Sequence, residues 1–79
     1  MPTYRFSIHE DGKIFNDEID YVFADVETLR REAVMAGADI AREVFAGGEV
    51  NEVVVDITQD NFPFMTVRIS LDVQVAPKR

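Results

Sequence analysis

The sequence predicts a small α+β domain in the order β-β-α-β-β, a four-stranded and mostly antiparallel sheet with one helix packed on one face. Three observations predict it. Segments toward both ends of the chain alternate apolar with polar residues. One central stretch repeats its apolar residues at helical spacing. Asp, Asn and Gly cluster between these segments, where turns belong. With 79 residues, the count is one domain spanning residues 1–79.

Each element follows from its residues. Tyr4, Phe6 and Ile8 alternate with Thr3, Arg5, Ser7 and His9, the pattern of a strand with one buried face. Glu10-Asp11-Gly12 supplies a turn, and Lys13-Ile14-Phe15-Asn16 returns as a shorter strand. Residues 17–24 alternate poorly and read as an irregular connection with a short extended piece at 20–23. Asp25 is an N-cap and Glu27 adds an acid to the first helical turn. Val26, Leu29, Ala33, Ala36, Gly37, Ile40 and Val44 form the apolar stripe, and Gly47-Gly48 ends the helix. Gly37 within that stripe predicts close contact between helix and sheet. Val53, Val55 and Ile57 mark the third strand and Gln59-Asp60-Asn61 its turn. Val67, Ile69, Leu71, Val73 and Val75 then alternate with polar residues, predicting a last strand from Met65 to Val75, with residues 76–79 frayed.

Composition excludes several classes. A net charge of −7, spread along the chain, repels phosphate backbones and argues against nucleic acid. No apolar run approaches the ~20 residues of a membrane span, so no membrane partner and a cytoplasmic setting are expected. There is no cysteine, so neither disulfides nor thiolate zinc sites are available. A core this small, without staples, favours a homodimer. Edge pairing across a two-fold axis would give that dimer an eight-stranded sheet.

The order of motifs resembles a family of small rhizobial and other alphaproteobacterial proteins classed as a domain of unknown function. The matching residues are Met1-Pro2-x-Tyr4-x-Phe6, Asp11-Gly12, Asp17-Glu18, Ala24-Asp25-x-Glu27, Arg30-Arg31-Glu32-Ala33 and Val55-x-Ile57 followed by Val67. Family members often keep a glycine in the last turn, where this chain has Gln59-Asp60-Asn61, and another after the Asp-Glu pair, where it has Ile19-Asp20. The resemblance implies this fold and a bacterial, cytoplasmic setting. It brings no catalytic residues.

No catalytic constellation and no cofactor motif is visible, so an enzyme is not expected. His9, the only histidine, lies on the polar strand face with Ser7, and neither sits in a nucleophile motif. Asp11, Asp17, Glu18 and Asp20 are the candidates for a hard cation, although their spacing is not that of an EF-hand. Val34, Ala38 and Phe45 lie about 100° around the helix from its main stripe, and Met35 lies nearly opposite it. Either Tyr21, Val22 and Phe23 fold over these four residues, or the four form a protein interface. Phe62 and Phe64 pose the same choice, capping the core or projecting toward a partner. The leading expectation is a non-enzymatic, homodimeric interaction module. Two alternatives stand beside it. One is an antitoxin-like or regulatory adaptor for a small basic partner protein. The other is a small-anion or metal-binding protein using the acidic loop, or the polar sheet face with Arg5, Arg68 and His9.

Overall fold

A computed structural model describes residues 2–16 and 20–77. Its elements are β1 (Tyr4–Glu10), β2 (Lys13–Asn16), α1 (Val26–Ala46), β3 (Glu52–Gln59) and β4 (Phe62–Ser70). The four strands form one open antiparallel sheet in the order β2-β1-β3-β4. The predicted α+β class and element order are therefore those of the molecule. No helix among the described residues is long and apolar enough to cross a membrane.

Both hairpins close through two residues with positive φ, Asp11 (45°) and Gly12 (89°) in the first, Asp60 (48°) and Asn61 (72°) in the second. That is the type I′ turn, whose twist matches the strands it joins. The second turn also holds the start of the chain. Asp60 Oδ1 accepts from the Thr3 N–H and from Thr3 Oγ1, both at 3.1 Å, and the Asp60 N–H donates to the Thr3 carbonyl at 3.0 Å.

Helix α1 starts where the sequence places its cap. The Thr28 N–H donates to Asp25 Oδ1 at 2.7 Å, which holds the Asp25 carboxyl below its ordinary range. At the far end Gly48 takes a φ of +82°, and its N–H reaches the Phe45 carbonyl at 3.1 Å.

The core lies between α1 and the sheet. Tyr4, Phe6, Leu29, Ala33, Val55 and Ile57 are its buried centre, with Ile8, Tyr21, Phe23, Met65 and Val67 packed around them. Helix α1 packs on β3 and β4. At Gly37 the approach is close: a Cβ there would stand 2.9 Å from Ile69 Cδ1 and 3.2 Å from Val55 Cγ2. Toward β1 the cover is aromatic. Tyr21 bridges to Tyr4 through paired backbone hydrogen bonds of 2.9 Å. Phe23 lies 5.9 Å from the Tyr4 ring and 6.3 Å from the Phe6 ring.

Three expectations change. The buried helix positions are Leu29, Ala33, Gly37 and Ala41, a row at four-residue spacing; Ala41 joins it while Val26, in the first turn, is exposed. Tyr21 and Phe23 turn to Phe6 and Tyr4, and Val22, Val34 and Ala38 stay exposed. The last strand ends at Ser70 rather than Val75, because its partner β3 begins at Glu52, directly opposite Ser70. One more bond, from the Leu71 N–H to the Asn51 carbonyl at 2.9 Å, closes the ladder.

Candidate functional site

The least satisfied surface gathers along the outer edge of β4. The Leu71 N–H points inward to Asn51, and strand geometry alternates these directions. The backbone groups of Ser70, Arg68 and Thr66 therefore point away from β3. Among the described residues no strand pairs that edge.

Beyond Ser70 the alternation of the sequence continues without a sheet to receive it. Leu71, Val73 and Val75 are 37, 71 and 86% exposed. The course stays extended: Gln74 Nε2 donates to Asp72 Oδ2 at 3.0 Å, which requires side chains two apart to share a side. The 60 Å long axis of the molecule has the same origin, since residues 62–77 at about 3.3 Å each span most of it.

Helix α1, which packs on β3 and β4, adds an apolar flank. Leu29 and Ala33 belong to the core cluster, and Gly37, further along and around the helix, meets Ile69 of β4 and Val55 of β3. Val34, Phe45 and Ala38 lie further around the helix in the same sense. Val34 and Ala38 are exposed and Phe45 is half-buried. Met35 is exposed on the side away from the sheet.

The two phenylalanines beside the second turn divide. Ile57 opposes Met65 and Thr58 opposes Pro63, so Phe64 is the extra residue of a β-bulge. The bulge turns its ring to the core side, 5.6 Å from the Tyr4 ring. Phe62 is 74% exposed at the end of the strand.

The sheet face opposite α1 carries the polar candidates, each engaged by a neighbour. His9 Nε2 stands 3.0 Å from Asp56 Oδ2, and Thr66 Oγ1 donates to Asp56 Oδ1 at 2.9 Å. Arg5 Nε donates to Asp20, which holds the Asp20 carboxyl below its ordinary range. Arg68 Nε lies 3.6 Å from Glu52 Oε2. A shallow recess of about 350 Å³ is lined by Ser7, His9, Asp56, Thr58, Pro63 and Thr66. Thus Arg5, His9 and Arg68, the three groups considered for an anion, each face a carboxylate.

Asp56 is the residue that strand patterning did not join to His9. Alternation puts both on one face, but their meeting depends on the β1–β3 register, which opposes Ser7 to Asp56. Of the cation candidates, Asp11 sits in the first turn and Asp20 pairs with Arg5 beside Tyr21, toward the other end of β1. Asp17 and Glu18 lie outside the described residues. Among the described residues no group of three or more His, Asp or Glu converges on a common point.

Comparison with known proteins returns a family and nothing nearer. No curated protein matches the chain. No solved structure matches it either. One family model does, the Domain of unknown function (DUF6894), over residues 3–70. That span begins one residue before β1 and ends on the last residue of β4, so Leu71, Val73 and Val75 lie beyond it. Since the match takes in every strand and the helix, the chain belongs to the DUF6894 family.

Proposed function

We propose that the protein is a non-enzymatic interaction module that works as a homodimer. The observation behind this reading is the apolar row Leu71, Val73 and Val75, which extends the β4 pattern past the sheet and leaves Val73 and Val75 largely exposed. Isolated exposed hydrophobics are ordinary; a row continuous with an unpaired strand edge marks a contact surface. Charge does not forbid it. Each copy carries −7, but at 0.15 M salt the screening length is about 8 Å, so distant charges scarcely interact.

Light scattering on a sizing column tests the reading. The expected mass is twice the 9.0 kDa of one chain, and Val73→Asp/Val75→Asp should raise the dissociation constant about a hundredfold. A wild-type monomer at high micromolar concentration would overturn it.

A small basic protein is the second reading, supported by the acidic balance of the chain. Isolation from the native cell in low salt should then recover a stoichiometric basic partner, and recovery of the chain alone counts against it. Anion binding at the open sheet face has less support, because a ligand there would have to displace Asp20, Asp56 or Glu52 from the side chains they already meet.

A further inference from the structure

The edge of β4 from Met65 to Ser70, taken together with residues 71–75 that follow it, is self-complementary about one residue. Ile69 and Leu71, flanking Ser70, are both apolar. Stepping outward, Arg68 matches Asp72 in opposite charge, Val67 matches Val73, Thr66 matches Gln74 and Met65 matches Val75. An antiparallel two-fold contact opposes residues equally distant from its axis. The backbone groups of Thr66, Arg68 and Ser70 point outward, and the contact requires those of Asp72 and Gln74, beyond the sheet, to continue the same alternation.

We infer that a second copy of this chain pairs along the outer edge of β4 and residues 71–75, antiparallel, with Ser70 on the two-fold axis. The inference rests on the self-association reading and adds its register. Neighbouring registers fare worse. An axis through Arg68 sets two arginines opposite each other, and one through Asp72 sets two aspartates opposite each other. An axis through Ile69 leaves Arg68 facing Ser70, and one through Leu71 leaves it facing Gln74. With the axis at Ser70, each Arg68, which stands 3.6 Å from Glu52 of its own chain, also faces Asp72 of the second copy, twice by symmetry. Opposite charges placed directly across strands stabilise pairing and like charges oppose it.

The same register accounts for the apolar side. Residues 65, 67, 69, 71, 73 and 75 share one parity, and Met65 and Val67 pack against the core. The pairing lays Val73 and Val75 beside Val67 and Met65 of the second copy. The product is a continuous eight-stranded sheet in which each chain covers the residues the other leaves open.

Charge exchange reads the register directly. Asp72 lies outside the sheet of its own chain, so Asp72→Arg leaves the fold intact. In sedimentation equilibrium, Asp72→Arg and Arg68→Asp should each raise the dissociation constant about tenfold. The double variant Arg68→Asp/Asp72→Arg should return it to within about threefold of wild type, because the pairs re-form with signs exchanged. Circular dichroism melts of each variant separate a weakened contact from a weakened fold. A wild-type dimer indifferent to both single reversals, or a double variant no tighter than the singles, overturns the register and leaves self-association standing. A wild-type monomer overturns both.

Discussion

The two hairpins of this sheet begin alike and end differently. Each turns through two residues with positive φ, Asp11-Gly12 in one and Asp60-Asn61 in the other. The first returns for only four residues and is finished by Tyr21, which bonds to Tyr4 further along β1. The second returns for nine, lies beneath α1 and runs on past the sheet. A short edge offers few free backbone groups, whereas a long one offers a template for another chain. The contrast is the reason the proposed association is drawn along β4 rather than β2.

The largest expected disturbance removes the cover from the second hairpin. Gly37→Val places a branched side chain where Ile69 and Val55 already stand, and should cost about 1–3 kcal/mol in urea unfolding. Gly37→Ala should be far milder, since its nearest neighbour is the flexible end of Ile69 and alanine is the better helix former. A tolerated valine would mean that α1 does not bear on β4 as described.

The turns come next, and here the hairpins should respond with opposite sign. Gly12→Ala forces a Cβ into left-handed backbone at φ +89° and should lose about 1 kcal/mol. Asn61→Gly relieves the same strain at φ +72° and should gain about half as much. Thermal melts under one set of conditions compare them; equal signs would contradict the shared turn type.

The smallest effect concerns Arg5 and Asp20, beside the first hairpin. The Arg5 hydrogen bond lowers the Asp20 pKa from its ordinary 3.8, so the folded state binds this proton less readily than the unfolded one. Its contribution is present above pH 3.8 and is lost as the pH falls through the lower folded value. Asp20→Asn should therefore narrow the stability gap with wild type only below pH 3.8. A gap of constant width down to pH 2 would assign the effect to something other than this carboxyl.

Much of the fold is legible in the residues because period and punctuation agree. Tyr4-x-Phe6-x-Ile8 can bury one face only as a strand, and Asp25 ahead of an apolar stripe closed by Gly47-Gly48 bounds one helix. What stays hidden depends on neighbours. Alternation says which face Val73 would take, but not that β3 starts too late to pair with it. Phe62-Pro63-Phe64 gives no sign that the second phenylalanine is a bulge residue turned toward Tyr4. The flank formed by Val34, Ala38 and Phe45 could be named from helical geometry, while the side chains that Gly37 meets, Ile69 and Val55, could not.

The clasp between Thr3 and Asp60 bears on the order in which the molecule assembles. Its partners stand 57 residues apart in the chain, and β1, the first strand made, lies inside the sheet between β2 and β3. The first hairpin is local and can nucleate as soon as β2 exists, but the inner flank of β1 stays open until α1 and β3 have been synthesised. Closing so long a loop comes before its reward, so docking β3 is expected to limit the folding rate. Weakening the clasp should accordingly act on the late steps of folding and leave the early hairpin untouched.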